Sequence, residues 1–238
     1  MTVRLAMWSG PRNISTAMMR AWENRADTVV VDEPLYAAYL ARTGLDHPAR
    51  YEVIASQPAT YDAAVASLYA DLPEGITLHY AKHMTHHLLP GDDTAWVRDF
   101  RNVLLIRDPA EVVHSYVKSR ESCEPADIGL LQQAALFEEL GGDAPVIDSA
   151  DFLTDPRGYL SWLCEWLGID FDERMLAWPP GARDSDGVWA PHWYSAVWAS
   201  TGFAPYEPRT VTLSEHDAEV AHACRPAYER LRSARVVI

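Results

Sequence analysis

Four groups of residues have types and spacings that could do chemistry together. The first is the stretch Met7-Trp8-Ser9-Gly10-Pro11-Arg12-Asn13-Ile14-Ser15-Thr16. It follows a short apolar run, residues 3–7, and precedes a helical pattern beginning near Ser15. A strand that turns through Gly-Pro into a helix start presents unbonded backbone N–H groups, and the helix dipole adds about half a positive charge. Arg12 adds a full charge whose forked donors match phosphate or sulfate oxygens. The spacing of nucleotide-kinase loops is absent and the stretch has no Lys, which weighs against ATP- and Mg²⁺-dependent phosphotransfer.

The second group is Arg107 with Ser115, eight residues apart. Arg107 follows the apolar run Val103-Leu104-Leu105-Ile106. Beyond it Asp108 suits a helix N-cap, Pro109 the first helical position and Glu111 the third, as in a capping box. Ser115 then returns to the face of the cap. Arg107 would meet an anion or pair with a carboxylate such as Asp108 or Asp148. The third group is Asp32-Glu33, placed at the end of a β-branched run, residues 28–31. There it would supply a general base, or cap a helix starting at Pro34. The fourth is His79, His83, His86 and His87. One of these could be a base, and His83 with His87 could share a helical face for a metal, but no nearby Cys or acidic residue completes such a set. We expect no bound metal.

These groups need elements to hold them. Strands are predicted over 3–7, 28–31, 76–80, 100–106 and 145–148. Helices are predicted over 15–24, 61–72, 128–140, 155–167 with Gly168 as the stop, and 214–235. Residues 40–60 read as irregular. Residues 178–208 are rich in Pro, Gly and aromatics and read as a functional segment, either an acceptor-site lid, plain core or a dimer surface. Strands alternating with helices indicate a parallel sheet covered on both faces, hence a three-layer α/β/α architecture. Ligands of such sheets gather at the carboxyl ends of the strands. Arg12, Glu33, His83 and Arg107 each closely follow a strand candidate, so they are expected at one shared site.

The 238 residues suffice for one globular domain, 1–238, with a sizeable core. A formal net charge of -14 argues against general binding to nucleic acid or anionic membrane. Residues 1–25 nevertheless carry a local charge of +3, opposite in sign to the whole chain. No apolar run is long enough to span a membrane, no secretion signal is evident, and the three cysteines are scattered, which together suggest a cytoplasmic protein.

With these residues in view, the chain resembles the sulfotransferase family, whose members move a sulfuryl group from 3'-phosphoadenylyl sulfate (PAPS). Pro11-Arg12-Asn13-Ile14-Ser15-Thr16 is similar to the family loop P-[KR]-S-G-[ST]-[ST], which grips the 5'-phosphosulfate. Arg107 and Ser115 match the pair that holds the 3'-phosphate. Residues 146–156, the helix ending at Leu167-Gly168, and Gly187-Val188-Trp189 look like later family landmarks. Asn13 and Ile14 replace a small Ser-Gly pair, Ala17 stands where many relatives carry a Trp that stacks on adenine, and Ala190 stands where relatives often carry a basic residue. The resemblance implies a P-loop NTPase-like sulfotransferase fold and in-line transfer from PAPS to a hydroxyl of a small-molecule acceptor. Arg12, Asn13, Ser15, Thr16, Arg107 and Ser115 would bind the donor, with Arg12 stabilising the leaving group and no metal required. The base would be Glu33, as in bacterial-type and Golgi-type relatives, or His83, which falls near the cytosolic branch's His in a K-x-H-x-P-x-x-L-L-P-like string. Here Lys82 is adjacent to that His. The alternative is a nucleotide-binding or regulatory protein that keeps the fold without transfer.

Overall fold

The computed structural model describes residues 2–118, 123–208 and 210–238. Five strands form one fully parallel sheet: β1 (Val3–Ser9), β2 (Thr28–Asp32), β3 (Leu78–Met84), β4 (Arg101–Ile106) and β5 (Val146–Asp148), in the order β2-β3-β1-β4-β5. The chain leaves β1 towards one edge and later returns past it towards the other. The crevice at the carboxyl end of β1 is therefore the switch point where such sheets take ligands.

The helices are α1 (Ser15–Glu23), α2 (Tyr36–Thr43), α3 (Arg50–Ser56), α4 (Tyr61–Ser67), α5 (Pro109–Tyr116), α6 (Pro125–Ile128), α7 (Leu130–Glu139), α8 (Ser149–Thr154), α9 (Pro156–Leu167), α10 (Ala190–Trp193), α11 (Ser195–Trp198) and α12 (Glu215–Ser233). Strand alternation splits the core in two. Leu5 and Met7 of β1 face Met18, Met19 and Trp22 of α1 and Leu160 and Leu163 of α9. Ala6 and Trp8 face α5, α7 and α12. Both layers are closely packed, and each large side chain buried this way contributes roughly 1.5–3 kcal/mol. The result is the expected α/β/α sandwich. A third cluster joins Tyr36, Tyr39 and Leu40 of α2 and Val53 of α3 to Trp189, Ala190 and Tyr194.

Several element boundaries differ from the sequence reading for physical reasons. Residues 40–60 hold the end of α2 and all of α3, because Leu40 and Val53 are buried against the aromatic segment rather than by a repeating pattern of their own. The helix expected over 128–140 is α7, which starts after Gly129, whose left-handed φ of 76° separates it from the short α6 before it. The third strand starts later than expected and runs on through Lys82 and His83, with every residue buried. Asp32 and Glu33 do not cap α2, whose N-cap is Leu35 with no side-chain bond. Asp108 does cap α5, accepting from the Ala110 N–H at 2.8 Å. Among the described residues no helix is long and apolar enough to cross a membrane, and all three cysteines are free and buried.

Candidate active site

A cavity of about 390 Å³ opens at the carboxyl ends of the strands. Arg12, Asn13, Ser15, Thr16, Glu33, Arg107 and Ser115 all line it, so the structure brings together seven of the eight residues singled out from the sequence.

The β1–α1 loop is built tightly. A Cβ on Gly10 would lie 2.1 Å from the Ile128 carbonyl oxygen, so only glycine lets the loop pass α6. Arg12 takes a left-handed φ of 54°, a conformation that costs a non-glycine residue of order 1–2 kcal/mol. The Asn13 side chain steadies this turn. Its Nδ2 donates to the Leu105 carbonyl at 2.9 Å and its Oδ1 accepts from the Ile14 N–H at 2.9 Å. Asn13 is thus a loop tie to β4. No side chain caps α1, so its first N–H groups stay open towards the cavity.

Arg12 Nε donates to Ser115 Oγ at 3.0 Å, and Arg107 donates through NH1 to the Arg12 carbonyl at 2.8 Å. The loop around Arg12 and the Arg107–Ser115 pair are therefore one connected structure. Burial, and then the Arg107 cation beside it, lower the Arg12 pKa. Among the described residues no carboxylate forms an ion pair with Arg12. An anion in the cavity would relieve both effects. Arg107 has its own carboxylate, Glu111, reached through Nε at 3.0 Å and NH2 at 2.8 Å. Glu111 therefore serves Arg107 rather than completing a capping box. Its other oxygen accepts from the Tyr206 hydroxyl at 2.8 Å.

On the other side of the cavity lies a buried polar node. Glu33 also has a left-handed φ, 43°, and its N–H donates to the Lys82 carbonyl at 2.9 Å. Lys82 Nζ donates to Asp32 Oδ1 at 2.8 Å, to Glu33 Oε1 at 2.8 Å and to the Tyr194 hydroxyl oxygen at 2.5 Å. Tyr194 in turn donates to Asp32 Oδ2 at 2.7 Å and accepts from Trp189 Nε1 at 3.1 Å. Burial raises the Glu33 carboxyl above its usual range, opposed by the Lys82 ammonium and reinforced by Asp32. The two carboxylates hold Lys82 charged despite its burial.

His83 is not in the cavity. It pairs in register with Trp8, stacks on its ring at 4.2 Å, and is 1% exposed. Neither ring nitrogen has a hydrogen-bond partner, and burial drives its pKa down to about 3. Adjacent strand residues face opposite sides of the sheet, so only one of Lys82 and His83 can face the node. That one is Lys82. His86 and His87 do line the cavity, with His87 stacked against Tyr36 and Tyr39. Tyr194 and the partnership of Lys82 escape sequence reasoning, since Lys82 meets a hydroxyl 112 positions away. The available signal is the place of Lys82 at the buried end of a strand beside Asp32. Gly187 and Trp189, noted in the sequence, do meet the site. A Cβ on Gly187 would strike the Trp189 ring at 2.2 Å, and the Gly187 N–H donates to Asp32 Oδ2 at 3.2 Å.

A parallel sheet wound outward from β1, with an arginine-bearing loop at its switch point joined to Arg107 and Ser115 across the cavity, defines an α/β protein with one connected polar site at the carboxyl ends of its strands. The profile described as "Sulfotransferase domain" matches residues 3–235, and the chain belongs to that family. Solved structures agree on the fold. The sulfotransferase of Alicyclobacillus acidocaldarius aligns with a TM-score of 0.56 at 12% identity, covering 100% of this chain and 98% of that one. The sulfotransferase domain of the Synechococcus PCC 7002 olefin synthase aligns at 0.53 and 17% identity, covering 93% and 94%. In sequence, the chain is 35% identical over 232 residues to branched-chain-amino-acid aminotransferase-like protein 1 of Arabidopsis thaliana, covering 95% of this chain and 41% of that protein. Protein 2 of the same name and organism is 32% identical over 230 residues, covering 94% and 40%. The chain spans about two fifths of the length of these curated relatives, and more than half of each lies outside the match.

Proposed function

We propose that this chain transfers a sulfuryl group from PAPS to a hydroxyl of a small-molecule acceptor, with residues 1–238 acting as one catalytic unit. The observation that carries the reading is the convergence of Arg12, Arg107, Ser115 and Glu33 on one cavity at the β1 switch point. Arg12 and the open N–H groups of the β1–α1 loop, with Ser15 and Thr16, receive the 5'-phosphosulfate. Arg107 and Ser115 receive the 3'-phosphate. Ala17 leaves the cavity open where an adenine-stacking ring would otherwise stand, and Leu153 and Phe203 supply apolar lining in its place.

The acceptor oxygen attacks sulfur in line with the bridging oxygen. One S–O bond forms, the bond to the 5'-phosphate breaks, and the electron pair passes to adenosine 3',5'-bisphosphate. Arg12 stabilises that developing charge as a preorganised cation. The acceptor proton passes to Glu33, whose Oε1 is held by Lys82 and whose Oε2 has no hydrogen bond to the described residues. Residues 178–208 form the acceptor-side lid through Trp189, Trp193 and Tyr194. The test is PAPS-dependent release of adenosine 3',5'-bisphosphate over a panel of alcohols and phenols. Release that depends on an acceptor supports transfer. Bisphosphate binding with no turnover on any acceptor supports the alternative, a nucleotide-binding protein. That alternative is favoured by Asn13-Ile14 standing in place of the small loop pair, beside an Arg12 in the left-handed conformation.

A further inference from the structure

We propose that Asp32 and Tyr194 are positioning residues for Glu33, and that Tyr194 couples closure of the aromatic segment to a correctly held base. The inference rests on the reading of Glu33 as the base and concerns residues that neither the family resemblance nor the motifs assign.

Asp32 looks redundant in the sequence, a second acid beside the first. In the structure its carboxylate is the hub. Oδ1 accepts from Lys82, and Oδ2 accepts from both the Tyr194 hydroxyl and the Gly187 N–H. Two of those three bonds reach residues 187–194, so Asp32 fastens that segment to the end of β2. Tyr194 completes its own bonding there. Its single proton goes to Asp32 Oδ2 at 2.7 Å, since Glu33 Oε1 lies farther off at 3.5 Å, and its lone pairs take Lys82 and Trp189.

This fixes how the one ammonium is shared. Asp32, Glu33 and Lys82 sum to a single negative charge in a buried site, where each interaction is stronger than in water. While Tyr194 bears part of the charge of Asp32, Lys82 is free to hold Glu33 Oε1. That bond turns Oε2 towards the cavity, the oxygen an acceptor proton must reach. If the aromatic segment lifts, Asp32 loses two donors, Lys82 is drawn to it, and Glu33 loses its hold. Closure over an acceptor would thus also set the base. Two further titratable groups among the described residues interact with Lys82 or Asp32, Tyr80 on β3 and His87 on the turn after it. Burial holds both neutral, and neither bonds to Glu33 in the structure.

The test is a carboxyl ¹³C NMR titration of the full chain labelled at glutamate, with the Glu33 signal assigned by its loss in Glu33→Gln. Tyr194→Phe is expected to move the Glu33 midpoint up by about one pH unit, a tenfold change in its protonation equilibrium. Asp32→Asn removes a like charge and is expected to move it down by a similar amount. Opposite shifts are the signature, because general loosening would move both variants the same way. If Tyr194→Phe does not fold, Trp189→Phe, which removes one donor to the Tyr194 hydroxyl, is expected to give a smaller upward shift. The acid limb of kcat/KM in Tyr194→Phe should follow the NMR midpoint. An unmoved Glu33 signal, or shifts of the same sign, would overturn the proposal. Opposite shifts in a protein with no sulfuryl transfer would keep the network and refute the proposed activity instead.

Discussion

Glu33 and His83 make the same point from opposite directions. Both follow or end strands, and both are sensible bases by residue type. The structure separates them by side-chain parity. Family-like strings with Lys and His two apart would put both on one face of a strand, whereas Lys82-His83 puts them on opposite faces. His83 fills space beside Trp8, so His83→Ala is expected to keep turnover and lower unfolding free energy by about 2–4 kcal/mol, measured by urea denaturation. A stable variant without activity would restore His83 as a base. Glu33→Gln is expected to lower kcat by roughly 10²–10⁴-fold while bisphosphate affinity stays within a few-fold. Because burial raises the Glu33 carboxyl, kcat/KM should fall as pH drops through a midpoint above the ordinary carboxylate range, the protonated acid being unable to accept. The site was legible where a residue follows a strand closely, as Arg12, Glu33 and Arg107 do. It was not legible where the partner is remote, as Tyr194 is for Lys82, or where a neighbour four positions on, Glu111, takes over a cation.

At the scale of elements, local chemistry wrote some boundaries and tertiary packing wrote others. Asp108-Pro109, Asp155-Pro156 and Gly168 are caps whose physics is contained in a few residues, and they stand where expected. α2 and α3 carry few local signals and owe their place to the aromatic segment they pack against. A second tie joins that segment to α1. Arg20 of α1, 1% exposed, reaches Asp186 at 2.5 Å and Glu23 at 3.3 Å. Asp186 also accepts from the Arg183 N–H and from Trp198 Nε1, each at 2.9 Å. Arg20→Ala strands a buried carboxylate and is expected to cost about 3–5 kcal/mol in denaturant unfolding. It should also loosen residues 183–198, read as faster amide exchange there than in β1. Uniform exchange across both would contradict the tie.

The whole molecule is acidic around a locally cationic site. A formal net charge of -14 surrounds a cavity lined by Arg12 and Arg107, a distribution that disfavours long polyanions more than a small anion. The histidines set its acid tolerance. Burial depresses His83 to about 3 and His87 well below its usual value, so the unfolded chain binds more protons than the folded one as pH falls below about 6.5. The contribution of these two histidines is therefore complete above that point and declines towards acid, by about 1.4 kcal/mol per pH unit for each. Denaturant midpoints measured from pH 7 to pH 5 should fall, and a flat profile would show that these rings are not buried neutral.

Arg12, Ser115 and Arg107 are proposed to act as one clamp for a doubly phosphorylated adenosine. Isothermal calorimetry with adenosine 3',5'-bisphosphate tests it most directly, using wild type and Arg107→Ala, with adenosine 5'-monophosphate as the comparison ligand. The expected result is wild-type binding of the bisphosphate that weakens about tenfold or more in Arg107→Ala, as loss of a charge-assisted contact requires, while the monophosphate is affected far less. No binding to the wild type, or equal loss for both nucleotides, would contradict it.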